Sequence, residues 1–71
     1  MKLPQLSGSD LIKILQTKGF VVVRQKGSHI RLEKVTAEGI VKVTVPHHNT
    51  LKKGTLHHIL KATNLTIQDI S

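Results

Sequence analysis

Apolar positions fall first at helical spacing, then alternate, then return to helical spacing, and this succession of periods sets the expected elements. Leu11, Ile14, Leu15 and the stem of Lys18 recur at i, i+3, i+4 and i+7, one stripe of a helix expected over Gly8 to Lys18, with Lys13 and Gln16 toward water. Ser7 followed by Asp10 three places on marks its start, and Gly19-Phe20 reads as a left-handed stop followed by an apolar residue that folds back. The Val-rich run Phe20 to Arg24 predicts a strand, and Gln25, Lys26 and Gly27 fit a hairpin turn. From Ser28 to Lys34 the alternation sends Ile30 and Leu32 one way and His29, Arg31 and Glu33 the other. After a loop around Thr36 to Gly39, Ile40 to Val45 alternates again, with Val41, Val43 and Val45 opposite Lys42 and Thr44. Pro46 stops this strand because it has no N–H to give a ladder. His47 to Lys53 reads as a polar loop; Gly54 and Thr55 lead into a helix with Leu56, Ile59, Leu60 and Thr63 on one side, and Leu65 to Ile70 as a short extra turn.

The expected fold class is therefore α+β, in the order helix, three strands, helix: a three-stranded antiparallel sheet with two helices on one face. The other sheet face carries His29, Arg31 and Lys42 and is the candidate working surface. At 71 residues the chain is read as a single domain over 1–71, because one compact core uses most of so short a sequence.

Composition narrows the chemistry. The absence of cysteine excludes disulfides, thiolate zinc sites and thiol nucleophiles. The four acids, Asp10, Glu33, Glu38 and Asp69, are too scattered for paired-carboxylate catalysis or a two-metal nuclease centre. Eleven Lys and Arg give a net charge of +7, which points to a polyanionic or acidic partner. No apolar run approaches membrane-spanning length and no secretion signal is recognisable, so a cytoplasmic protein is expected.

The five histidines are His29, His47, His48, His57 and His58. Adjacent pairs chelate poorly, since neighbours on a strand point to opposite faces and neighbours on a helix diverge by about 100°; no metal or cofactor is expected. His57 and His58 lie off the apolar stripe and read as solvated surface. His47 and His48 follow the third strand, where a loop beside the open face can meet a ligand. His29 follows the turn Lys26-Gly27-Ser28 amid Arg24, Lys26, Arg31 and Lys42. It is either an exposed strand histidine or a proton-transfer group beside an anion, since imidazole as a side-chain type suits such work near neutral pH. Lys52 and Lys53 precede a helix start, where backbone N–H groups also favour phosphate. Phe20 is the single aromatic and reads as core, which disfavours base stacking and leaves phosphate and 2′-hydroxyl contacts, the mode of double-stranded RNA binding domains.

Over nearly its whole length the chain resembles the HicA toxins, small mRNA interferases paired with a HicB antitoxin. The likeness rests on Leu11 to Phe20, on Arg24-Gln25-Lys26-Gly27-Ser28-His29, on Val43-Thr44-Val45-Pro46-His47, and on Lys53-Gly54-Thr55-Leu56 leading into Ile59-Leu60-Lys61. The resemblance implies a fold similar to a double-stranded RNA binding domain, RNA as substrate, and His29 as the catalytic histidine of the Gly-Ser-His element. It also implies a protein that is monomeric when free and a hetero-oligomer with its antitoxin. The implied step is removal of a ribose 2′-hydroxyl proton by His29, with Arg24, Lys26 or Arg31 stabilising the charge that develops. Gly27, Ser28, Lys42, His47, Lys52 and Lys53 complete the expected RNA-contacting set. The competing readings are a non-catalytic double-stranded RNA binding module, indifferent to loss of His29, and a protein-interaction domain whose basic face serves an acidic partner and which shows no salt-dependent RNA binding.

Overall fold

A computed structural model describes residues 5–70; residues 1–4 and 71, the ends of the expected domain, lie outside the described residues. The element order is α1 (Gly8–Thr17), β1 (Val21–Lys26), β2 (His29–Thr36), β3 (Gly39–Pro46), α2 (Lys53–Thr63) and α3 (Ile67–Ile70). The strands form one antiparallel sheet in the order β1-β2-β3, so β2 is central. The architecture is the expected α+β arrangement with a third, very short helix added.

The helix signals work as their chemistry dictates. The Ser7 hydroxyl accepts from the Asp10 backbone N–H at 3.0 Å, and the Asp10 carboxylate accepts from the Ser7 N–H at 3.3 Å. At the other end Gly19 takes a φ of +97°, and the Phe20 N–H returns to the Leu15 carbonyl at 3.0 Å. Phe20 is buried but precedes β1 rather than opening it. α2 ends on Asn64 in the left-handed conformation at φ 59°.

The core lies between one sheet face and the helices. Ile30 and Leu32 of β2 and Val43 and Val45 of β3 meet Leu11, Ile12 and Leu15 of α1 and Leu56, Ile59 and Leu60 of α2. Three expectations need correcting. Ile12 is buried whereas Ile14 is only half-buried, and Lys18, half-buried, sits past the helix and pairs its ammonium with Asp69 at 3.5 Å instead of lining the core. The loop before α2 is not wholly polar: Leu51 is buried, with its N–H bonded to the Leu6 carbonyl at 2.8 Å. All of β1 is exposed, a point on which the run of valines is silent. The turns are shorter than expected, each two residues, at Gly27-Ser28 and Ala37-Glu38.

The tail docks on the body. Ile70 is buried in the core cluster, and the Asp69 carboxylate accepts from the backbone N–H of Thr66 at 2.8 Å and from its hydroxyl at 3.0 Å. These bonds, foremost the backbone one, hold the Asp69 carboxyl below the usual carboxylate range, with Lys18 adding to the effect.

One close approach fixes how α1 meets the sheet. Gly8 is buried, and its N–H donates to the His48 carbonyl at 2.8 Å. A Cβ here would collide with the Pro46 carbonyl oxygen and crowd the His47 Cα at 3.0 Å, both of them backbone. Gly8→Ala is therefore expected to destabilise the fold by about 1–3 kcal/mol, the usual range for overpacking. A urea titration checks this through a lower midpoint at unchanged slope.

Candidate active site

The site is built on the β1–β2 hairpin. Gly27 has a φ of +59° and Ser28 does not share it, the pattern of a two-residue II′ turn with glycine first. The Gln25 side-chain amide donates to the Gly27 carbonyl at 3.4 Å. The turn sets Lys26 opposite His29, and the His47 N–H bonds the Ser28 carbonyl at 2.6 Å, fastening the end of β3 to the same hairpin.

Because Ile30 and Leu32 are drawn into the core, strand alternation sends His29 and Arg31 to the open face. β1 needs a further device to match. Strict alternation would put Val22, Arg24 and Lys26 on one face. The register instead shifts between Val22 and Arg24, so that Val22 opposes the buried Leu32 while Arg24 opposes Arg31 and Lys26 opposes His29. Val23 is the extra residue of this bulge, which re-aims the two cations toward the histidine.

The result is a shallow groove of about 270 Å³ lined by Arg24, Lys26, His29, Arg31 and Thr44. Its rungs are Lys26–His29–Pro46 and Arg24–Arg31–Thr44, read across β1, β2 and β3. Arg24 and Arg31 stand directly opposite each other, and like charges so placed repel. The ion pair found among the described residues, Lys18–Asp69, is not in this groove. An exposed imidazole on the central strand, sharing its groove with two guanidinium groups and an ammonium, suits an anionic ligand from which a proton is taken.

The other expected contact residues are placed as follows. Gly27 and Ser28 form the turn at the groove's edge. Lys42 is on the open face but one rung farther along, opposite Glu33. His47 is exposed just past β3, and Lys52 and Lys53 are exposed at the start of α2. The fold thus gathers Arg24, Lys26, His29 and Arg31, and leaves Lys42, His47, Lys52 and Lys53 outside the groove lining. Thr44 is the lining residue that a search for charged and titratable groups passes over; its signal in the sequence is only its place on the outward face with Lys42.

Among the described residues, no three His, Asp or Glu side chains converge as metal ligands, and no helix is long and apolar enough to cross a membrane. Asp10 is occupied in the α1 cap and Asp69 in α3.

No curated protein matches the chain. A family model described as the HicA toxin of bacterial toxin-antitoxin matches residues 8–65, a span from the first residue of α1 to just past α2 that includes the whole groove. The match covers well over half of the sequence, and the chain belongs to the HicA toxin family of bacterial toxin–antitoxin systems.

Proposed function

We propose that this toxin is an endoribonuclease that works without a metal ion and uses His29 as its general acid–base. The observation that carries the reading is the position of His29, exposed on the central strand in a groove whose other charged linings are Arg24, Lys26 and Arg31. The bound group is an RNA phosphodiester with its neighbouring ribose. Neutral His29 takes the proton of the 2′-hydroxyl, and the 2′-oxygen attacks the adjacent phosphorus. The bond from phosphorus to the 5′-oxygen breaks, leaving a 2′,3′-cyclic phosphate, and the departing oxygen takes a proton from the imidazolium or from water. Negative charge grows on the phosphoryl oxygens during this step, where the two guanidinium groups and the ammonium offer fixed stabilisation.

The Arg24–Arg31 opposition supports the same assignment. A phosphate between two guanidinium groups turns a repulsive cross-strand pair into a doubly attractive one. The family implies an antitoxin partner, and a HicB-type protein presenting acidic groups to this groove would silence the toxin by occupying the substrate's place.

His29→Ala should lower RNA cleavage by about 10² to 10⁴-fold, the usual contribution of a positioned acid–base. The imidazole is exposed, so stability should change by no more than about 0.5 kcal/mol. Cleavage kinetics and a denaturant titration on the same purified variant measure both; a folded variant cutting RNA at the parent rate would leave a binding module as the better reading. Cleavage should also persist at the parent rate in excess EDTA, because the carboxylates lie apart and two of the four are engaged in helix caps and turns. A rate that collapses on chelation and returns with Mg²⁺ would contradict this.

A further inference from the structure

Resting on the proposed ribonuclease function, we infer that Thr44 is a positioning residue that holds the ribose 2′-hydroxyl against His29 and makes the groove selective for RNA over DNA. Thr44 lines the groove on β3, exposed and directly opposite Arg31. His29 opposes Pro46, two residues farther along the same face of β3, so His29 and Thr44 are diagonal neighbours. Diagonal residues of an antiparallel pair lie about 7–8 Å apart, which leaves room for one hydroxyl between an imidazole nitrogen and a threonine oxygen.

The hydrogen-bond inventory of the groove singles this residue out. Arg24, Lys26 and Arg31 can only donate. A nucleophilic 2′-hydroxyl must point its proton at the base, and its direction is fixed only if something else engages its lone pairs. Among the side chains lining the groove, the Thr44 hydroxyl is the one that can donate without carrying charge and without being the base itself. It can hold the 2′-oxygen while the cations remain with the phosphate. It is also uncommitted: Thr17, Thr36, Thr63 and Thr66 each donate their hydroxyls to a partner within the chain, whereas Thr44, like Thr50 and Thr55 away from the groove, has no such bond. A threonine that served only the strand would contribute its β-branched shape, which valine supplies equally well.

The test uses an RNA oligonucleotide whose cleavage position has been mapped with the wild-type protein, and its analogue with a single 2′-deoxynucleotide on the 5′ side of that bond. In a His29→Ala background, where the strand stays intact, the ribo form should bind about fivefold tighter than the deoxy form, the range of one net hydrogen bond. Adding Thr44→Val should abolish that difference, and adding Thr44→Ser should preserve it. With His29 present, Thr44→Val should reduce kcat/KM by about five- to tenfold, while Thr44→Ser keeps most of it. A Thr44→Val protein with undiminished kcat/KM and an unchanged preference for the ribo form overturns the assignment, as does equal binding of the two strands by the His29→Ala protein. If His29→Ala itself cleaves normally, the ribonuclease mechanism fails first and this role falls with it. If His29→Ala is inactive while Thr44→Val behaves as wild type, only the role of Thr44 is lost.

Discussion

Everything on the working face depends on the burial of Ile30 and Leu32 beneath the helices. These two positions of the central strand are 7% and 0% exposed, and a strand with one face so committed cannot slip by a residue without turning both into water. The same constraint that closes the core therefore aims His29 and Arg31 outward. β3 obeys it through Val43 and Val45, which carries Thr44 to the outer side. β1 has no buried side chain to hold its parity, and there the bulge at Val23 brings Arg24 and Lys26 to the face that the central strand has chosen.

The groove is stable only against a background of repulsion. Arg24 faces Arg31, Lys26 stands beside His29, and no ion pair among the described residues relieves them. In a domain of this size the apolar core has to offset that cost, and backbone fastenings help to hold the geometry. The Gly8 contact with the end of β3 and the bond from His47 to the Ser28 carbonyl tie together α1, β3 and the β1–β2 hairpin. An anion placed in the groove would offset this repulsion, so the electrostatics that cost the fold stability favour an anionic ligand.

Much of this was legible from period and punctuation. The cap at Ser7, the stop at Gly19 and the two alternating runs mark real elements, because each is dictated by local backbone chemistry. The Val-rich run does mark a strand, but it is silent on burial, since valine suits an exposed edge strand as well as a buried one. The burial of Ile12 in place of Lys18 shows the limit of a stripe drawn on one helix: the sheet decides which side is inward. In the site, His29 and its cations follow from the hairpin, yet the Val23 bulge and the place of Thr44 beside Arg31 are matters of register between strands. Lys42, His47, Lys52 and Lys53 share the positive charge that drew attention to them but not the groove.

The central claim is that His29 turns the RNA's own 2′-hydroxyl into the nucleophile, and the chemistry of the new strand ends tests it most directly. Mass spectrometry of the fragments released by the purified protein should find a 2′,3′-cyclic phosphate on the upstream piece and a 5′-hydroxyl on the downstream piece. Fragments ending in a 3′-hydroxyl and a 5′-phosphate would mean that water attacked instead, and would contradict the role given to His29.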